Sequence, residues 1–349
     1  MSVAARAPST HKPLHALRRC IGIVLISSAW LAPAIADDSP RDWLDRMVGA
    51  SGKVSYRGTL VHMCGGKVDV VKVVHRVHDG HITERVKSLD ADGREIIRNP
   101  DEVMCILPDQ RTVLVGTMQS AVHADSVLDA EISFANLNDT NYRLQTQRQE
   151  HVAGRAAEVV AIRPIDHYRF GYRLWIDREH ALPLRYELLD EHGDSIEKTL
   201  YTQISFTNSV GEDEVEPTIA VDSFVWQNSG GDRAAASVSQ PPEPDASAVG
   251  WHVGEMPSGF KLVAVEIVPG EGQHADTRHL VYSDGLASVS VFIESESDES
   301  ERQAGASKMG AMNAYTTMVD EFLVTAVGGV PVRTAMMMAL SVARMPNER

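Results

Sequence analysis

Short turn dipeptides punctuate the first two thirds of the chain, and the residues between them alternate in polarity. Gly65-Gly66, Asp79-Gly80 and Asp92-Gly93 are three such pairs. Dipeptides of this kind close tight hairpins because their residues accept positive φ at little cost. Alternation with a period of two sends successive side chains to opposite faces of a strand. In the first strand Val54, Tyr56, Gly58 and Leu60 alternate with Ser55, Arg57 and Thr59, and Val68 to Val77 completes a long hairpin. Further strands are expected at Ile82 to Leu89, Glu102 to Leu107, Thr112 to Val115 and Tyr142 to Gln149. The same pattern continues at Ala156 to Pro164, Tyr172 to Asp177, Leu184 to Asp190 and Ile196 to Phe206. Consecutive antiparallel pairing is the simplest arrangement, giving one large, curved sheet with a face turned toward a helix or a cavity. A partly helical stretch from Asp125 to Leu137 interrupts the series. Ahead of it all, Ser39-Pro40-Arg41-Asp42 reads as a helix start, with Ser39 as cap and Asp42 completing a capping box.

The N-terminus carries a different signal. Arg18 and Arg19 precede an apolar run from Ile21 to Leu31, and Ala34-Ile35-Ala36 supplies the small-x-small pattern of a peptidase site. The run is shorter than the roughly 20 residues a helix needs to span a bilayer, so residues 1–36 are expected to be a cleaved export signal. Of the 33 Lys and Arg residues, Arg6, Lys12, Arg18 and Arg19 lie in that leader, which has no acid to set against the 48 Asp and Glu of the chain, so the mature net charge is near −19. A surface of that sign repels nucleic acid and favours basic partners. Cys64 and Cys105 survive processing; an oxidising compartment permits a bridge between them, but their spacing alone does not bring them within bridging distance, and two buried or isolated thiols are the preferred reading.

Between Asn228 and Ala248 the composition shifts to Gly230-Gly231, three consecutive alanines and Pro241-Pro242-Glu243-Pro244. That is a linker, stiffened around its prolines. The expected organisation is therefore an N-terminal domain over 37–227, a linker over 228–248 and a C-terminal domain over 249–349. Strands in the last are expected at Phe260 to Val268, His279 to Tyr282, Ser288 to Glu294 and Phe322 to Val327, before a closing helix from Pro331 to about Arg344. The acidic run Glu294 to Glu301 reads as a solvated loop. The fold class is α+β.

Catalytic and metal-binding patterns are weak. His78 and His81 flank the Asp79-Gly80 turn and face each other, while His75 has the opposite parity; all three read as exposed hairpin histidines and no metal is expected. Gly305-Ala306-Ser307-Lys308-Met309-Gly310 has the wrong spacing for a nucleophile elbow. Cys64 and His62 occupy alternate strand positions, which does not by itself make a reactive pair. No cofactor is expected and the chain does not read as an enzyme. Apolar surface remains: a bent sheet whose covering is incomplete leaves a groove for an acyl chain or a partner's apolar segment. Met336-Met337-Met338 in the closing helix offers adaptable packing.

Five stretches carry a family resemblance: VVHRVHDG from Val73, IIRNPDEVMCILPD from Ile96, FGYRLWIDREHALPLRYELLDEHGDSIEK from Phe170, GWHVGEMPSGFKLV from Gly250 and HLVYSDGLASVSVF from His279. Together they resemble the RseB/MucB family of periplasmic regulators of an envelope-stress sigma factor. The resemblance implies a large N-terminal domain like the periplasmic lipoprotein carriers (LolA-like, a half-open barrel over helices) and a smaller C-terminal domain. It implies a role as well: binding the periplasmic segment of an inner-membrane anti-sigma factor of the RseA/MucA type, shielding it from proteolysis, and letting go when lipid or lipopolysaccharide is sensed. On that basis Trp251, Phe260 and Tyr282 are candidates for partner contact. Tyr56, Leu60, Tyr172, Leu174 and Trp175 are candidates for the sheet groove. Cys64, Gly329 and the triple methionine depart from the family pattern. A lipid or lipoprotein carrier is the alternative function, an exported hydrolase a distant third, and a homo-oligomer is left open.

Overall fold

The computed structural model describes residues 38–90, 92–116, 134, 137–228, 244–270, 276–295 and 304–345. The expected export signal, most of the 125–137 stretch, the centre of the expected linker and the acidic run beyond Ser295 lie outside the described residues.

The first element is α1 (Pro40–Met47), which starts as its sequence dictates. The Ser39 hydroxyl accepts from the Asp42 N–H, the Asp42 carboxylate accepts from the Ser39 N–H, and Pro40 fills the first turn. Trp43, Leu44 and Met47 are its buried side.

Among the described residues twelve strands follow in one sheet: β1 (Ser55–Cys64), β2 (Lys67–His78), β3 (His81–Ser88), β4 (Glu95–Arg98), β5 (Val103–Leu107), β6 (Thr112–Gly116), β7 (Tyr142–Val152), β8 (Arg155–Pro164), β9 (Gly171–Asp177), β10 (Pro183–Leu189), β11 (Ser195–Thr207) and β12 (Val225–Asn228). Their order across the sheet is β12-β6-β5-β4-β3-β2-β1-β11-β10-β9-β8-β7. The expected turns are in place, with positive φ at Gly65, Gly66, Asp79, Gly80 and Gly93. Among the described residues the edges β12 and β7 do not pair with each other.

Two features were not expected. β4 is an additional short strand, antiparallel to β3 and β5, and β12 joins β6 in parallel. The parallel pairing has a physical route. After β11 the chain crosses the sheet, fastened by Arg57 to Glu214 at 2.6 Å, by Arg85 to the Glu216 carbonyl at 3.2 Å and by Lys87 to the Thr218 hydroxyl at 2.6 Å. It therefore arrives at the β6 edge already running in the same direction.

The C-terminal residues form a smaller body. A six-stranded sheet has the order β14-β15-β16-β19-β18-β17, with β14 (Lys261–Val268), β15 (Thr277–Ser283), β16 (Ser288–Ser295), β17 (Gly305–Met309), β18 (Met312–Val319) and β19 (Phe322–Gly328). Helix α2 (Val332–Leu340) packs against it, and β13 (Trp251–Val253) pairs with β20 (Val342–Arg344). The closing helix is thus shorter than expected, because Val342 to Arg344 turn back as a strand. The β17–β18 hairpin was not expected either; Ala306, Ser307, Asn313 and Thr316 give it little apolar alternation. The architecture is mostly sheet with few helices, a large sheet plus a smaller C-terminal one.

Register defines two faces of the large sheet. Tyr56, His75, Glu84 and Arg98 are successive cross-strand partners, as are Tyr201, Leu60 and Val71. These residues share one face. At the β7–β9 end of that face Tyr142, Val160, Ile162 and Leu174 form a core with Trp43, Leu44 and Met47 of α1. Over β1–β4 no helix among the described residues packs on that face, and a cavity lies there.

Candidate functional site

The cavity measures about 710 Å³. That is within the usual range of roughly 300–1,000 Å³ for small-molecule sites. Its walls are apolar in the middle, where Leu60, Val71, Val73, Val86, Ile96 and Leu188 meet. Polar and charged residues ring the end nearest the β1–β2 turn: His62, Lys67, Asp69, Arg94 and Glu197. At the far end stand Glu84 and Arg98. The Glu84 side chain is 1% exposed, with Arg98 Nη1 at 3.8 Å and His75 Nδ1 at 3.7 Å. A site of this make-up offers an apolar body and a polar head their separate surroundings.

The smaller body supplies part of the wall. Met309, Gly310, Ala311 and Met312, the turn of the β17–β18 hairpin, line the cavity together with Gly329. Ala311 is buried against Phe170 and Leu188. Gly310, at φ +60°, sits so close to Cys64 that a Cβ there would lie 2.7 Å from the thiol sulfur.

A second junction joins the two sheets. Arg169 Nη1 donates to Asp284 Oδ2 at 2.5 Å, both side chains being 0% exposed, and Nη2 donates to the Ser258 carbonyl at 2.7 Å. The Tyr142 hydroxyl donates to the same Asp284 oxygen at 3.0 Å. Burial first, and then the Asp284 charge, pushes the Tyr142 phenol well above its ordinary value. It stays a hydrogen-bond donor. Asp166 pairs with Arg169 at 3.0 Å, and Thr334 of α2 donates to the Tyr168 carbonyl at 2.6 Å.

The groove candidates separate. Leu60 and Tyr172 line the cavity. Tyr56 lies at the foot of the same face, stacked on His75 at 4.7 Å, and Leu174 is part of the core under α1. Trp175, next to Leu174 in the strand, points to the opposite face; its indole N–H donates to Glu150 at 2.9 Å and Arg185 stacks on the ring at 4.0 Å. Trp251, Phe260 and Tyr282 are buried together in the core of the smaller body. Tyr282 accepts from the Val253 N–H at 3.2 Å, and Phe260 lies under the Arg169 guanidinium at 5.3 Å. Of the three, Phe260 is therefore beside the junction.

His78 and His81 face each other across the hairpin as their spacing requires. His75, in contrast to the exposed position expected, is fully buried, with Nε2 2.9 Å from the Ser51 carbonyl oxygen. Stacking on Tyr56 explains the difference, since an aromatic partner gives the ring apolar cover. Among the described residues no group of three His, Cys, Asp or Glu is placed to hold a metal ion. Cys64 and Cys105 are not joined in a disulfide. His62 Nδ1 is 2.9 Å from the Thr199 hydroxyl, and Cys64 is packed at the Gly310 contact. Arg169, Asp284 and the 309–312 turn were missed in the sequence; Asp284 carried no signal beyond an ordinary Ser-Asp-Gly turn.

Comparison with known proteins places these features in context. Residues 39–219 match the family model described as MucB/RseB N-terminal domain, and residues 245–343 match that described as MucB/RseB C-terminal domain. The chain is 29% identical over 331 residues to the sigma factor AlgU regulatory protein MucB of Pseudomonas aeruginosa, covering 92% of this chain and 96% of that protein. It is 23% identical over 308 residues to the sigma-E factor regulatory protein RseB of Haemophilus influenzae, covering 85% and 89%. Among solved structures, the MucA/MucB complex of P. aeruginosa superposes with a TM-score of 0.67 at 28% identity, covering 88% of this chain and 99% of that one. A crystal structure of MucB superposes with a TM-score of 0.55 at 27% identity, covering 88% and 98%.

Proposed function

The chain belongs to the MucB/RseB family, and from that membership we propose that it restrains an envelope-stress sigma factor of the sigma-E type by binding the periplasmic segment of a membrane anti-sigma factor. The observation that carries this reading is the match along both parts of the chain, together with its likeness to MucB in the MucA-bound structure at a TM-score of 0.67. Binding covers the anti-sigma segment and keeps proteases from it, so the sigma factor stays captive. No substrate is transformed. The site of action is the periplasm, reached through the export signal over residues 1–36. Among the described residues no helix is long and apolar enough to cross a membrane.

The large sheet, in this reading, is a half-open barrel of the lipoprotein-carrier kind over 37–227, tied by the 228–248 linker to a regulatory domain over 249–349. The cavity of about 710 Å³ on its inner face takes an acyl chain or the lipid part of lipopolysaccharide. Occupancy of the cavity lowers affinity for the anti-sigma segment. By linkage, the segment lowers affinity for lipid to the same degree. The acidic surface steers a basic stretch of the partner, an effect that salt weakens.

Limited proteolysis tests the reading. The anti-sigma periplasmic segment should resist a site-specific protease when the chain is present and lose that resistance when lipopolysaccharide is added. Equal cleavage with and without the chain would remove the shielding role. The cavity also favours a second reading, a carrier of lipid or lipoproteins. A carrier would hand an acyl ligand to an acceptor while ignoring the anti-sigma segment.

A further inference from the structure

Two of the places where the smaller body meets the rim of the large sheet are unlike each other. One is the Arg169 clamp, where Asp284, Ser258 and Tyr142 supply buried polar contacts across the junction. The other is the β17–β18 tip, seated by the smallest side chains available. Gly310 rests on Cys64 and Gly65, with the Gly310 Cα only 3.3 Å from where a Gly65 Cβ would stand. Ala311 fits between Phe170 and Leu188. The flanking methionines, paired as the last rung of the hairpin, turn toward the cavity, and Met309 is 81% exposed. Methionine's unbranched chain adapts to changing neighbours more readily than any other apolar residue.

We infer that the β17–β18 tip is a removable stopper in the mouth of the cavity, which an elongated apolar ligand filling that cavity unseats from Cys64 and Gly65 while the Arg169 clamp stays closed. The inference rests on the reading of the cavity as a lipid site, and adds how occupancy is transmitted to the smaller body. The tip forms part of the cavity wall, so ligand and tip compete for one space. What must be given up there is the contact of Gly310 with Cys64 and Gly65 and the apolar seat of Ala311 between Phe170 and Leu188, whereas parting the clamp would strand a buried guanidinium. A ligand that binds only the unseated form shifts the population toward it. This chain superposes differently on the two MucB structures, each over 88% of its length, with a TM-score of 0.67 on the MucA complex and 0.55 on the other.

The native thiol of Cys64 supplies the test. In the full chain carrying Gly310→Cys, mild oxidation should join the new thiol to Cys64, the bridge being identified by peptide mass spectrometry. With the tip locked, uptake of cis-parinaric acid, a fluorescent fatty acid, should be at least tenfold weaker than in the reduced form, and reduction should restore it. In the unaltered chain, saturating cis-parinaric acid should raise the alkylation rate of Cys64 severalfold relative to Cys105. The alkylation measurement stands alone where the variant does not fold or does not cross-link. Equal uptake by locked and reduced forms, or an alkylation rate indifferent to the probe, overturns the stopper and leaves the lipid site intact. Absence of uptake by the unaltered chain overturns both.

Discussion

Arg169, between β8 and β9, and Asp284, after β15, form a fully buried ion pair 115 residues apart in sequence that ties the large sheet to the smaller one. Their burial makes the pair a fixed point rather than a surface ornament. Exposed ion pairs contribute little, but removing one member of a buried pair leaves a desolvated charge.

Asp284→Ala should therefore destabilise the protein by about 3 kcal/mol, the lower end of the range for broken buried pairs, because Asp166 still pairs with Arg169. Urea denaturation measures it. The double substitution Arg169→Met with Asp284→Leu should recover much of the loss, since neither charge is then stranded.

Gly259 lies at the same junction with φ +88°, and a Cβ there would come 2.0 Å from Asn141 Nδ2. Gly259→Ala should cost about 1–2 kcal/mol from backbone strain and displacement of the buried Asn141 amide. A lowered Tm with an unchanged circular-dichroism spectrum is the expected result.

Filling the cavity separates packing from ligand binding. Val86→Trp places an indole among the apolar walls and should weaken uptake of cis-parinaric acid by about tenfold, or about 1.4 kcal/mol. Unchanged affinity would place the ligand elsewhere.

Acid should unfold the large sheet first. Burial raises the carboxyls of Glu95, Asp177 and Glu187, but hydrogen bonds from Lys87 and Thr218, from Arg155 and His180, and from Arg185 and Lys198 outweigh it, so all three lie below their ordinary values. The Arg57 guanidinium holds Glu214 down to about 2. A depressed folded-state value means stability that is present above the unfolded value of about 4 and is lost as the pH falls through the folded one. The Tm should hold steady from neutral pH to about 4 and then drop toward pH 2. Glu95→Gln should flatten that drop.

Much of the large sheet was legible because its determinants are local. Gly65-Gly66 fixes a turn, the turn fixes which residues pair, and parity then puts Leu60, Val71 and Val73 on one face. The parallel β12 was not legible, since its direction depends on Arg57, Arg85 and Lys87 fastening a crossing segment whose partners are remote in sequence. The cavity was foreseen only as a groove; that α1 covers the β7–β9 end of the face is a matter of where Trp43 and Met47 reach. Trp251 and Tyr282 look alike in sequence whether they serve a core or a contact, and tertiary packing put both inside. Trp175 was grouped with Leu174 against the parity rule that separates neighbours on a strand.

Equilibrium binding of the chain to the periplasmic segment of its own cell's anti-sigma factor, followed by titration calorimetry, tests the central claim most directly. The account predicts a saturable one-to-one association per chain that lipopolysaccharide weakens. Heats no larger than dilution, at concentrations where the family's partners associate, would contradict it.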